Sequence, residues 1–117
     1  MVGTDIIEVA RIEKLIKEKG DKFLNRVYTK DEIVYCESKG SNKYQHYAGR
    51  FAAKEAVFKV VSNNDIKSLI FKDIQILNKN DGSPYVNILS SNYDDSFTLY
   101  ISISHIKEYA TAIAVKK

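Results

Sequence analysis

The hydrophobic period of the chain changes once, near its middle, and that change limits the folds open to it. In the first half apolar residues recur at helical spacing, whereas from Ile74 onward they alternate with polar ones. Val9, Ile12, Leu15 and Ile16 share one helical face up to Lys19, and Gly20 supplies the stop. A short first strand is expected to end near Asp5, ahead of that helix. Asp21 predicts the cap of a short second helix holding Phe23 and Leu24. Thr29-Lys30-Asp31-Glu32 has capping-box form before Ile33, Val34 and Cys36, so a third helix follows. Gly40-Ser41-Asn42 punctuates the chain, with Ser41 or Asn42 placed to cap a long helix that carries Arg50 to Lys59 and frays near Ser62-Asn63-Asn64. Beyond it, Ile74 and Ile76 begin a strand, Asn80-Asp81-Gly82-Ser83-Pro84 is a turn cluster, and Tyr85 to Leu89 returns as the partner. Phe97, Leu99, Ile101 and Ile103 alternate with Thr98, Tyr100, Ser102 and Ser104, and a last strand runs from Ala110 to Val115. Helices first and strands later predict an α+β fold, N-terminal helices on a mainly antiparallel sheet, rather than a doubly wound one.

With 117 residues and no repeat or linker, the chain reads as a single domain, 1–117. Its 44% hydrophobic content supports a core, yet a domain this small gains only a limited excess over chain entropy, which favours partner subunits. No apolar run approaches the ~20 residues that span a bilayer, and no basic segment leads into an apolar one, so a cytoplasmic protein without membrane contact is expected. The single Cys36 excludes an internal disulfide, and one Cys with two His gives no zinc set. A net charge of +3 is too small to imply nucleic acid. Its distribution is uneven: residues 11–30 hold seven Lys and Arg against three Asp and Glu. Both a solvated helix face and a docking surface for an acidic partner fit that stretch.

The run from Ala48 to Lys59 carries the chemistry. At helical spacing Tyr47, Phe51, Phe58, Ala48 and Ala52 share a broad face, and Glu55 falls inside that apolar arc. An ionised carboxylate there needs compensation for its lost water. Lys59, one turn on, offers an ordinary helix-face ion pair; a metal ion is the other solution. Arg50 and Lys54 are themselves one turn apart, two cations spaced to grip a phosphate together. Asp5 and His105 each stand at the end of a strand-like apolar stretch.

Three blocks stand in order along the chain. They are Gly3-Thr4-Asp5-Ile6 with Arg11-Ile12; then Ala48-Gly49-Arg50-Phe51-Ala52-Ala53-Lys54-Glu55-Ala56-Val57-Phe58-Lys59; then Ile101-Ser102-Ile103-Ser104-His105 with Glu108-Tyr109-Ala110. Together they closely resemble the holo-acyl-carrier-protein synthases, the small bacterial 4'-phosphopantetheinyl transferases. The Arg-Phe-Ala-x-Lys-Glu-Ala-x-x-Lys core is the specific part; Gly-x-Asp alone is weak. The resemblance implies the fold of that family and a reaction in fatty acid biosynthesis. A serine hydroxyl of apo-acyl carrier protein attacks the β-phosphate of coenzyme A, takes the 4'-phosphopantetheine, and adenosine 3',5'-bisphosphate leaves. Charge then builds on phosphate oxygens, which a hard divalent cation neutralises; Mg²⁺ takes one or two carboxylates from a protein. By resemblance these are Asp5 and Glu55, with Lys59 beside a phosphate. Arg50 and His105 are implied at the 3'-phosphate or adenosine end of coenzyme A, with Lys54 expected among the coenzyme-binding residues from its spacing to Arg50, and Gly82, Ser83 and Pro84 in a loop touching the nucleotide. The acidic carrier protein would dock on Arg11, Lys14, Lys22 and Arg26. The family also implies a homotrimer with active sites between subunits.

Direct phosphoryl transfer needs no His or Cys nucleophile. Removal of the serine proton is expected through metal-bound water, aided by an acid such as Asp31 or Glu32. The chain departs from the family in a short lead-in before Gly3, in Ser83 where a Lys is common, in Ile106 after the His, and in Ser90 to Ser96 in place of a longer helical segment. The competing reading is a small basic binding module whose residues 11–30 recognise an acidic protein or nucleic acid. Only Phe23 and Tyr28 stand among those cations, too few aromatics to favour single-strand stacking.

Overall fold

A computed structural model describes residues 1–61, 65–93 and 96–117. The expected fraying at Ser62-Asn63-Asn64 lies outside the described residues, as do Asp94 and Asp95 within the departure from Ser90 to Ser96. Strand β1 (Val2–Glu8) leads into helices α1 (Val9–Lys19), α2 (Asp21–Val27) and α3 (Lys30–Glu37). A 3-10 turn (Gly40–Asn42) then opens the long helix α4 (Lys43–Val60), and a second (Phe71–Asp73) leads into the strands. After it come β2 (Ile74–Asn78), β3 (Pro84–Ile88), β4 (Leu99–His105) and β5 (Tyr109–Lys116). All pairings are antiparallel, and the strands divide into a three-stranded sheet of order β1-β5-β4 and a separate hairpin β2-β3. The α+β architecture expected from the change of period is the one observed.

Several boundaries moved. Strand β1 does not end at Asp5 but runs on to Glu8, because every residue from Val2 to Glu8 has a partner on β5. Asp5 therefore sits mid-strand opposite Ala112, and the short lead-in does not deprive the strand of pairing. Gly20, at φ 54, holds a left-handed conformation that suits glycine and ends α1, its N–H donating to the Ile16 carbonyl. The capping box is formed as read: the Glu32 N–H donates to Thr29 Oγ1 at 3.3 Å and the Thr29 N–H to Glu32 Oε1 at 2.8 Å. Asp21 instead lies inside α2, and Asn42 precedes α4 without a side-chain capping bond.

Helix α4 crosses the inner face of the three-stranded sheet and is buried on most of its circumference. Small residues make that possible. Ala48, Ala52, Ala53 and Ala56 on the helix meet Ala110, Ala112 and Ala114 on β5, all buried. Where β1 passes closest, a Cβ on Gly3 would lie 2.5 Å from the Ala56 carbonyl oxygen. Phe51 and Phe58 close the remaining side by holding Phe71 between them, with ring centroids at 5.5 and 5.0 Å. No helix among the described residues is long and apolar enough to cross a membrane.

Candidate active site

Two clusters of functional side chains form around α4. The first joins β1, α1 and the end of α4. Because Gly3 admits the helix so closely, Asp5, two residues along the inner face of β1, comes beside Glu55 and Lys59. The ammonium of Lys59 donates to the Thr4 carbonyl at 2.6 Å and to Asp5 Oδ1 at 3.4 Å. The helix-face ion pair with Glu55, one of the two solutions open from sequence, does not form: among the described residues Lys59 bridges only to Asp5. Partial burial raises the pKa of Glu55, the negative charge of Asp5 raises it further, and Lys59 and Arg11 oppose that rise. The negative charge of Asp5 thus reaches Glu55 at a half-buried site, a repulsion that a divalent cation would relieve. No set of three His, Cys, Asp or Glu side chains converges among the described residues. The two carboxylates are what Mg²⁺ shared with a substrate phosphate draws from a protein.

The second cluster lies across α4. Arg50 is only 4% exposed, and its guanidinium stacks over the Tyr35 ring at 3.9 Å from the centroid. Its Nη2 donates to Asn78 Oδ1 at 2.6 Å, while its buried Nε makes no hydrogen bond in the protein. Arg50 lines a cavity of about 180 Å³ with His46, Gly82, Pro84 and His105. His105 Nδ1 lies 3.0 Å from Gln45 Oε1, and the His46 ring stands edge-on to both His105 and Tyr35. Burial, then the charges of His105, Lys39 and Arg50, push His46 down to about 4. The pocket is a positively charged recess with a buried, incompletely bonded guanidinium, which suits an anion. Ser83 stands outside it, exposed, its hydroxyl donating to Asp81 Oδ1 at 2.6 Å.

Lys54 belongs to neither cluster. Its side chain is fully buried, and its ammonium donates to Glu32 Oε1 at 2.7 Å, the Val27 carbonyl at 2.7 Å and the Phe71 carbonyl at 3.1 Å. Burial lowers its pKa, with Glu32 opposing. All three donors are taken, so Lys54 does not grip phosphate beside Arg50. The same contacts remove Glu32 as a proton acceptor. It is buried, and its oxygens accept from Lys54, the Thr29 N–H and the Ile76 N–H, the last at 2.9 Å. Asp31, its neighbour, is exposed. Helical spacing correctly set Arg50 and Lys54 on one side of α4, but the half of that side nearer Lys54 is core. Cys36 is buried packing, its thiol pushed up to about 12 by burial.

The cations of α1 and α2 are exposed. Lys22 and Arg26 flank a shallow recess beside Phe23, Lys14 lies 4.0 Å from Glu18, and the positive charge of Arg11 reaches Glu55. Tyr35, Asn78, His46 and Gln45 were not singled out by sequence. Gln45 and His46 share the first turns of α4 with Arg50, a local signal, whereas Asn78 is distant and no spacing relates it to Arg50.

The family model of the 4'-phosphopantetheinyl transferase superfamily matches residues 1–114. A holo-[acyl-carrier-protein] synthase of Ruminiclostridium cellulolyticum is 46% identical over 120 residues, covering 98% of this chain and 90% of its relative. That of Protochlamydia amoebophila is 47% identical, covering 97% and 94%. Among solved structures, Helicobacter pylori holo-[acyl-carrier-protein] synthase in complex with coenzyme A superposes with a TM-score of 0.86 at 36% identity, over 100% of both chains. The Bacillus anthracis synthase, in complex with CoA (3',5'-ADP), gives 0.80 at 39% identity over 98% of this chain and 93% of its own. The chain belongs to the holo-[acyl-carrier-protein] synthase family of 4'-phosphopantetheinyl transferases. It is accordingly a transferase, and the reading as a binding module without chemistry gives way.

Proposed function

We propose that this enzyme, as a single transferase domain of residues 1–117, moves 4'-phosphopantetheine from coenzyme A to a serine of apo-acyl carrier protein. The reaction depends on Mg²⁺ and serves fatty acid biosynthesis in the cytoplasm. The observation that carries the reading is the juxtaposition of Asp5 with Glu55 beside Lys59, a mutually repelling carboxylate pair in a family whose solved members include coenzyme A complexes. Asp5 and Glu55 would hold the ion. When bound, Mg²⁺ supplies positive charge at the pyrophosphate oxygens while one P–O bond forms and the other breaks.

The chain's own residues do the rest by positioning and electrostatics. Lys59, its side chain half exposed, keeps an N–H for a phosphate oxygen beside its bonds to Thr4 and Asp5. Arg50 and His105 hold the 3'-phosphate or adenosine end of coenzyme A, with the turn through Gly82, Ser83 and Pro84 against the nucleotide. Ser83 contributes there through the shape of the turn, since its hydroxyl is engaged by Asp81. The exposed cations Arg11, Lys14, Lys22 and Arg26 form the docking surface for the acidic carrier protein.

Arg50 and Glu55 point about 140° apart around α4 at the helical repeat. That divergence supports composite active sites, in which the pocket of one protomer faces the carboxylate pair of the next. The outer face of the three-stranded sheet supports the homotrimer. Its register aligns Thr4, Ile113 and Ser102 in one row and Ile6, Thr111 and Ser104 in the next. Val2, Ile6, Tyr100, Tyr109 and Ile113 are exposed there, an apolar and hydroxyl-bearing surface nearly free of charge that suits a second copy of itself.

Intact-mass spectrometry tests the reaction. With coenzyme A and Mg²⁺, an apo-acyl carrier protein should gain the mass of one phosphopantetheine, and Glu55→Gln should abolish the gain while the protein stays folded. No gain under conditions where a known transferase modifies the same carrier would overturn the proposal.

A further inference from the structure

The buried guanidinium of Arg50 has no carboxylate partner among the described residues. What holds it is the face of Tyr35 and a single side-chain amide, that of Asn78, the last residue of β2. The amide is engaged at both ends. Its Oδ1 accepts from Arg50 Nη2 at 2.6 Å, and its Nδ2 donates to the Gly82 carbonyl at 2.8 Å. Arginine can only donate and a carbonyl can only accept, so chemistry alone sets which way the amide faces. Gly82, at φ 90, sits at the left-handed corner of the turn between β2 and β3, and Gly82 and Pro84 line the same cavity as Arg50. One side chain thus ties the pocket's principal cation to the turn that forms its opposite wall.

We propose that Asn78 is a positioning residue for the coenzyme A site, holding the Arg50 guanidinium and the Gly82 turn in the one arrangement that faces a phosphate. That role presupposes Arg50 as a coenzyme A anchor. No other common side chain of this size serves both ends. Asp would bond Arg50, but it would repel the Gly82 carbonyl and neutralise the charge offered to the ligand. Leu would serve neither partner. A neutral partner orients the guanidinium and leaves its charge for the ligand.

The test is a double-mutant cycle on the full-length enzyme, read by transfer kinetics and by isothermal titration with adenosine 3',5'-bisphosphate. Asn78→Ala should raise the KM for coenzyme A and the Kd of the bisphosphate about tenfold, the worth of a charge-assisted hydrogen bond, with the loss falling on KM rather than kcat. Asn78→Asp, of the same size, should weaken binding at least as much and serves if the alanine variant fails to fold. In an Arg50→Ala background, Asn78→Ala should have little further effect. An unchanged Kd in the Asn78 variants, or an undiminished effect without Arg50, would overturn the positioning role. An Arg50→Ala enzyme that binds the bisphosphate normally would overturn the anchoring role of Arg50 itself, and the role of Asn78 with it.

Discussion

Lys54 and Glu55 are adjacent in sequence and meet opposite surroundings. Lys54 enters the core, where Glu32 and two carbonyls take its donors; Glu55 stays at the rim, where Asp5 opposes it. The sequence marked Glu55 as the charge in need of compensation, but the most deeply buried charges of α4 are Lys54 and Arg50. A helical wheel reports angle and not depth, so it could not tell the rim that holds Glu55 from the core that takes Lys54. His46 shows a related effect, since its low pKa arises from burial first, and then from the charges of His105 on β4, of Lys39 just beyond α3 and of Arg50 further along its own helix. A histidine whose pKa falls on folding binds its proton more readily in the unfolded chain, so stability should decline as pH drops from about 6.5 to about 4. His46→Phe keeps an aromatic ring against Tyr35 and His105 and removes the titration. Its melting temperature should gain on that of the parent as pH is lowered through this window. Parallel melting curves would show that His46 does not contribute.

Helix α4 is the element through which the fold makes the site. Its apolar spacing, its length and its Lys-Glu core were legible, because they are local properties of a segment with strong periodicity. The motif also singled out Asp5, Glu55 and Lys59, but not their contacts: the ion pair within the helix, one of the two solutions open from sequence, gives way to one between Lys59 and β1. The reason is the close approach at Gly3, which brings the Thr4 carbonyl and Asp5 within reach of Lys59. Gly3→Ala therefore bears on stability and site together. The added methyl would press on the Ala56 carbonyl and the Lys59 side chain. It should cost about 1–3 kcal/mol, as overpacking does, and displace α4 from β1. Thermal denaturation should register the loss, with a fall in Mg²⁺-dependent transfer larger than the unfolded fraction explains. Full stability and activity in this variant would mean that β1 and α4 are not held at this distance.

A single copy of the chain leaves a charge-poor sheet face open and sets its Arg50 and carboxylate clusters on different sides of one helix. Both features are what the proposed assembly would use. Ile113→Asp would set a carboxylate in the centre of that face, between Thr4 and Ser102, without touching the core. The variant should elute as a monomer in size-exclusion chromatography with light scattering, and its transfer activity should fall with the assembly. A variant that stays oligomeric would move the interface elsewhere.

The α+β class, the antiparallel hairpin, the capping box at Thr29 and the family were all settled by the order of residues, because periodicity, turn chemistry and motif spacing are properties of contiguous segments. The reach of β1 to Glu8, the burial of Lys54 against Glu32 and the tie from Arg50 through Asn78 to the Gly82 turn came only with the folded chain. Each depends on partners tens of residues apart, which no local pattern records and which only packing brings within hydrogen-bonding distance.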